Sequence, residues 1–340
     1  MHRSADRTGR AGERVAWILD DVWPETASMV QTLFNPGDQL LTPGIFRGFP
    51  ARYDWPVARP QHPARRATLL RHWAMRRSRN ASGARRQESY LRQDRSIALR
   101  LGKFIDFRAR HLVVAQSWLP WLDEAGALGG RSFDVVMSRY PLAEIHCSLD
   151  EAAEAFKSSA TIGDFRAEPE LVERELRLLA RARRIITPHH GIAALFGDRA
   201  QLLAWHRPRA AIQARGNRVA FLGPTIARQR PDLVRAIASS LNQPLIVFGP
   251  MLEQHWDAVA IERRAYGPRS LQDVGALLHP ATITHQPRLL LAAIASGITV
   301  YATPTCGLAP TDYLALETFR ETWSEQRTTQ APLVTAGTAG

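Results

Sequence analysis

Short apolar runs alternate with helical stretches along this chain of 340 residues, and that alternation restricts the fold more than any other feature. In the second half, 218–222 (RVAFL), 244–248 (PLIVF), 281–284 and 299–302 read as strands. Helices are expected over 231–241, 271–278 and 287–296, with Gly297 stopping the last. In the first half, strands are expected at 14–19 (RVAWIL), 111–116 (HLVVAQ), 133–137 (FDVVM) and 184–187 (RIIT). Helices fit 118–127, 149–157 and 170–183, while 35–63, rich in Pro and Gly, reads as loop with at most one short strand. Strands separated by helices build a parallel sheet covered on both faces. The expected class is α/β with two Rossmann-like domains, 14–210 and 217–315, joined near 208–216. A flexible stretch, 1–13, precedes them, and a C-terminal helix with a flexible tail, 316–340, follows. Ligands of such sheets bind beyond the carboxyl ends of the strands, so the loops there are where chemistry is expected.

Composition removes several classes. With 45% hydrophobic and 22% charged residues the chain is neither disordered nor membrane-embedded. The longest nearly uncharged apolar run, 289–303, is shorter than the roughly 20 residues that span a bilayer, and no charged-then-apolar leader opens the chain. The expectation is a cytosolic protein. Two cysteines, Cys147 and Cys306, cannot form a disulfide framework, and no Cys/His spacing suits zinc, so no metal is expected. Gly-x-Ser-x-Gly, Gly-x4-Gly-Lys-Ser/Thr and Gly-x-Gly-x-x-Gly are all absent, which argues against a serine hydrolase, a P-loop ATPase and a dinucleotide oxidoreductase.

The formal charge of +12 is concentrated. Residues 60–110 hold fourteen basic and three acidic residues, and all but two of the chain's basic residues, Lys103 and Lys157, are arginine. Residues 64–79 read as a helix with Leu69, Leu70 and Trp73 on one side. After a break at 80–83 a second amphipathic stretch carries Tyr90, Leu91, Ile97, Leu101 and Ile105. Arg65, Arg66, Arg76, Arg77, Arg85 and Arg86 are the candidate contacts to an anionic surface, either phospholipid or nucleic acid. A solvated helical face is the plain alternative.

The second half also carries a recognisable pattern. Phe221-Leu222-Gly223-Pro224 followed by 228–233 (RQRPDL) resembles the strand and phosphate loop that open the donor domain of GT-B glycosyltransferases. Residues 291–300 (LAAIASGITV), continuing through Ala302-Thr303 to Gly307-Leu308, are similar to the helix-turn-strand of glycosyltransferase family 4. Residues 173–182 with 184–187 resemble the segment that ends that family's acceptor domain. The resemblance implies two Rossmann-like domains facing across a cleft, with a nucleotide-diphosphate sugar held mainly by the second. The donor is a substrate, and no further cofactor is implied. The implied donor-binding residues are Gly223, Arg228, Arg230, Gly249, Tyr266, His285, Gln286 and Arg288. Gly223 would let backbone amides approach a diphosphate, and Arg228 or Arg230 would neutralise it. The sequence departs from the family at its paired glutamates, whose places fall at Thr284 and Ala292.

On the acceptor side, strand ends present Asp20 and Asp21, Gln116, Ser138 and Arg139, and His189. Asp20, Asp21 and His189 are the catalytic candidates, because an inverting transferase needs a general base at the acceptor hydroxyl. Each has a structural alternative: a turn cap for the aspartates, a helix cap for His189, an ion pair for Arg139. The expected function is transfer of a hexosyl group from a nucleotide sugar to a glycan or lipid-linked acceptor at the cytoplasmic membrane face, as in bacterial polysaccharide synthesis. The other reading is an inactive protein of the same fold that recruits an anionic partner, membrane or nucleic acid, through its arginines.

Overall fold

The computed structural model describes residues 14–44, 53–57, 60–164, 166–267 and 269–323. The expected flexible segment 1–13 and most of the tail expected at 316–340 lie outside them. The described residues fall into two compact units, one drawn from Met1–Cys147 and Gly163–His206, the other from Ser148–Ile162 and Arg207–Gly340.

In the first unit the elements run β1 (Val15–Ile18), α1 (Pro24–Leu33), β2 (Gln39–Leu41), α2 (Arg65–Arg77), α3 (Gly83–Gly102), β3 (His111–Ala115), α4 (Leu119–Glu124) and β4 (Ser132–Val136). Then come α5 (Leu142–Ala155), which ends in the second unit, α6 (Pro169–Arg181), β5 (Ile185–Thr187), α7 (His190–Phe196) and β6 (Ala200–Leu202). The strands form one six-stranded sheet in the order β2-β1-β3-β4-β5-β6, every pairing parallel. Its central strands are apolar on both faces: Ile18, Leu112, Val114 and Val135 are fully buried. Trp17, Met29, Val30, Leu40 and Trp55 close a core cluster beside β1.

The second unit holds β7 (Arg218–Leu222), α8 (Pro231–Ala238), β8 (Leu245–Phe248), β9 (Ile261–Arg264), β10 (Val274–His279), α9 (Arg288–Ala295), β11 (Thr299–Ala302) and β12 (Leu314–Ala315). This sheet is also parallel throughout, in the order β12-β11-β10-β7-β8-β9. Phe221, Val234, Leu245, Leu278 and Tyr301 form its core with Trp256, Phe319 and Trp323. Local chemistry fits each boundary. Pro24, Pro169 and Pro231 sit at first helical positions, where a missing N–H costs nothing. Gly297, at φ +83°, ends α9.

Several expectations are corrected. Residues 274–279 form the strand β10, not part of a helix, and 281–284 are loop. A short apolar run buried on both faces has no periodicity that separates a strand from a helix. The sequence reading also missed α1, α7 and the edge strands β6, β9 and β12. These strands are short or polar; β9 reads IERR.

Candidate functional site

Parallel strands place all their carboxyl ends on one rim, and binding is favoured where the strand order reverses direction. In the second unit this switch lies between adjacent strands β7 and β10, since the chain proceeds from β7 to β8 on one side and from β10 to β11 on the other. The loops leaving these strands are tied together. Thr282 N–H donates to the Arg228 carbonyl at 2.9 Å, Thr225 N–H to the Pro250 carbonyl at 2.9 Å, and the Thr303 and Thr305 hydroxyls to the Ala281 carbonyl at 3.0 and 2.9 Å.

Two glycines make this close approach possible. Gly223 has φ +137°, and a Cβ there would lie 3.2 Å from Gln229 Oε1. Gly249 has φ +90°, and its Cβ would lie 2.6 Å from the Gly223 carbonyl oxygen. Gln229 Oε1 and Thr282 Oγ1 are buried at this rim with no hydrogen-bond partner among the described residues. A buried polar atom left unpaired costs about 1–3 kcal/mol, so such atoms at a strand-end crevice suit a polar ligand.

Arg228, His285 and Gln286 stand half-buried on the loops after β7 and β10, Arg288 is half-buried at the start of α9, and Tyr266, 43% exposed, follows β9. Arg230 adopts a left-handed conformation (φ 50°, ψ 52°) at the N-cap of α8. Its guanidinium folds back on Asp232 at 2.9 to 3.3 Å. Thr284 Oγ1 meets the buried His279 Nε2 at 2.6 Å. Burial pushes the His279 imidazole down to about 4, so it is neutral here. His279 was missing from the sequence reading, which ended its helix one residue short of it.

One internal carboxylate was also missed. Glu253 Oε1 accepts from the Ser159 hydroxyl at 2.7 Å and from Thr161 N–H at 3.1 Å. Glu253 Oε2 accepts from Ala227 N–H at 2.8 Å and pairs with His255 Nε2 at 2.9 Å. Burial alone would raise its pKa, but the bonds from Ser159, His255, Thr161 and Ala227 hold it down at about 2. An amide of the loop after β7 thus already faces a negative charge.

In the first unit the switch lies between β1 and β3. The rim gathers Asp20 and Asp21 after β1, Gln116 after β3, Ser138 and Arg139 after β4, and His189 after β5. Asp20 is held at both oxygens by Arg71 of α2, at 2.7 and 3.0 Å. Arg71 is buried, also reaches Asp94 Oδ1 of α3 at 3.2 Å, and contacts the Tyr53 hydroxyl. Gln116 donates to the Tyr140 carbonyl and to Glu175, both at 3.3 Å, and its Oε1 is buried with no partner among the described residues. Arg139 pairs with the buried Glu175 at 2.7 Å, and Ser138 is exposed. His189 is fully buried, caps α7 by accepting from Ile192 N–H at 3.2 Å, and meets the Tyr140 ring edge-on. Asp21 is half-buried at the bend after β1.

The candidate surface arginines Arg65, Arg66, Arg76, Arg77, Arg85 and Arg86 are all exposed on α2 and α3. Leu69, Leu70 and Trp73 share the outward face of α2, at 44, 56 and 60% exposure, and Arg77 lies over the Trp73 ring at 5.3 Å. Among the described residues no helix is long and apolar enough to cross a membrane, and no group of three or more His, Cys, Asp or Glu could hold a metal ion.

No protein-family model matches the chain, and no curated protein matches it in sequence. Solved structures do resemble it in fold. The apo form of the lipopolysaccharide outer core galactosyltransferase WaaB aligns over 92% of this chain and 89% of that one, at 10% identity and a TM-score of 0.47. Sucrose-phosphate synthase from Thermosynechococcus elongatus aligns over 85% and 81%, at 10% identity and 0.46. Anabaena HepE in complex with UDP and glucose aligns over 93% and 100%, at 9% identity and 0.43.

Proposed function

We propose that the chain is a glycosyltransferase that moves a sugar from a nucleoside-diphosphate donor, bound by the second unit, to a hydroxyl-bearing acceptor received by the first. The observation that carries this reading is the switch-point crevice between β7 and β10. There, Gly223 and Gly249 bring backbone close, Arg228 stands on the loop after β7 and Arg288 opens α9, and Gln229 Oε1 and Thr282 Oγ1 are buried without partners among the described residues. Backbone amides and guanidinium groups at a strand-to-helix turn suit a diphosphate, and they stabilise the charge that develops as it leaves. A nucleoside diphosphate at a hundredfold its dissociation constant adds about 2.7 kcal/mol, or roughly 5–10 °C in melting temperature for a unit this size. Arg228→Ala reduces that shift. If no nucleoside diphosphate in a full panel raises the melting temperature, the transferase reading is wrong.

The outward face of α2 supports a lipid-linked acceptor. Leucine and tryptophan exposed beside arginines match an anionic bilayer surface, where the apolar side chains enter the acyl boundary and the cations meet headgroups.

A second reading, a binding protein without turnover, has its own support. Glu253 already occupies the Ala227 amide, and Arg230 is already paired with Asp232. Nucleotide-sugar turnover decides for the enzyme. Salt-sensitive binding to an anionic partner without turnover decides for the other.

A further inference from the structure

Helix α4 is short for the place it occupies. It has six residues, about 9 Å, and lies between α3 with twenty and α6 with thirteen, about 30 and 20 Å. Both neighbours pack on it. Helix α3 ends beside its end, since a Cβ on Gly102 would lie 3.4 Å from Leu122 and from Ala125. The earlier turns of α3 and α6 overshoot it, and a groove of about 650 Å³ opens between them, wholly within the first unit. Residues 163–168 close one end. Gln87 Nε2 of α3 donates to the Arg166 carbonyl at 2.8 Å, and Asp164 lies against the first turn of α3, where a Cβ on Gly83 would come 1.9 Å from its Oδ2. The volume is that of a small-molecule cleft.

The groove is layered. Leu91 stands one turn before Arg95 on α3, Trp121 one turn before Glu124 on α4, and Leu171 one turn before Arg174 on α6. These helices lead into the parallel strands β3, β4 and β5, so they run in one sense and their turns align. One layer is apolar and the next is charged. In the charged layer Arg95 donates to both Glu124 oxygens, at 3.0 and 3.1 Å, and Arg174 reaches Glu124 Oε2 at 3.7 Å from the opposite wall. Two cations share one carboxylate, which leaves a surplus of positive charge. The bond from Arg95 and the charges of Arg95 and Arg174 hold Glu124 below the usual carboxylate range, although burial opposes them. The glutamates of the lining do not cancel that surplus. Glu88 is paired with Arg92 at 2.6 Å, and Glu168 and Glu170, at the start of α6, are matched in number by Arg85 and Arg166. The Arg95 and Arg174 side chains remain 52 and 33% exposed, so a ligand from solvent can reach both.

We propose that this groove binds a small amphiphilic anion, an apolar ring carrying one phosphate group, with the ring on Leu91, Trp121 and Leu171 and the phosphate on Arg95 and Arg174. An indole and two leucines accept a flat apolar body, and two guanidinium groups grip phosphate oxygens through paired hydrogen bonds. The groove lies between helices and not on the strand-end loops, and the proposal stands whether or not the chain transfers a sugar.

The test is calorimetric titration of the whole chain with phenyl phosphate, phenol and inorganic phosphate. Phenyl phosphate binds saturably, and phenol and inorganic phosphate, which each engage a single layer, bind at least about tenfold more weakly. Arg174→Glu lowers the affinity for phenyl phosphate at least about tenfold, by removing one cation and adding a repelling charge. Glu124→Gln raises it about threefold or more, because the phosphate then no longer competes with a carboxylate for the two guanidinium groups. A variant that merely folds badly would not show that gain. Three results each overturn the proposal: no saturable binding of phenyl phosphate up to about 10 mM, inorganic phosphate binding as tightly as phenyl phosphate, or an affinity that neither substitution moves.

Discussion

Glu253 is a residue whose hydrogen-bonding capacity is used entirely inside the second unit. Four donors converge on its two oxygens: the Ser159 hydroxyl, the Thr161 and Ala227 amides and His255. Glu253→Gln keeps the shape but sets an NH2 group against donors, so two of them lose their acceptor. The expected cost is about 1–3 kcal/mol by urea unfolding, and a change below about 0.5 kcal/mol would contradict this account of the loop. Neither Glu253 nor Asp94 was legible in the sequence. Asp20 was a candidate because it ends a buried strand, but Arg71 is 51 positions from it and Asp94 a further 23 beyond Arg71. No spacing rule connects residues that only a crossover helix brings together. Gly223 was legible, because a glycine directly after an apolar strand needs no tertiary information to be suspicious.

Among the helices, α2 is built against the usual grain. Its inner face holds Thr68 and Arg71, while Leu69, Leu70 and Trp73 face outward. Arg65 and Arg66 occupy its first turn, where positive charge opposes the helix dipole, and no acidic residue offsets them. The helix's own stability does not explain that arrangement; the anionic surface proposed above would. Vesicles of anionic lipid are therefore expected to bind the protein at low salt and release it at high salt. Replacing Leu70 and Trp73 together with Ser weakens binding at least tenfold, since each loses the roughly 1.5–3 kcal/mol of burying a large apolar side chain. Vesicle binding that ignores both the substitutions and the salt would remove α2 from that role. The sequence did place these three side chains on one face; it could not say which way the face points. It also misread 274–278, because the run VGALL is apolar throughout and nothing local marks it as a strand.

For the molecule as a whole, the pH dependence of stability combines groups shifted in opposite directions. Burial would raise Asp134, but bonds from His111 and Arg183 hold it at about 2, and Glu253 behaves alike. Their stabilisation is present above the unfolded carboxylate range and is lost as pH falls from about 4.5 toward 2. His279, depressed to about 4, makes stability decline as pH falls from about 6.5 to 4, because the unfolded chain takes up that proton first. Asp94, raised to about 7, does the reverse over nearly the same interval. At up to about 1.4 kcal/mol per pH unit for each proton, the two oppose each other between pH 4 and 6.5, and a steep loss sets in below. Chemical unfolding from pH 2.5 to 8 should show that shoulder and then the fall. In Asp94→Asn the shoulder becomes a slope rising with pH, and an unchanged shoulder would contradict the assignment.

The interleaved connectivity has a consequence for biosynthesis. Ser148–Ile162 belongs to the second unit yet is followed by Gly163–His206 of the first. On a ribosome it therefore emerges well before Glu253, the carboxylate that receives Ser159 and Thr161. A nascent chain halted after His206 holds every strand of its first sheet together with a fifteen-residue insert awaiting its docking partner. Cutting the gene at the apparent domain border would thus yield an orphaned segment on one product and a gap in the other.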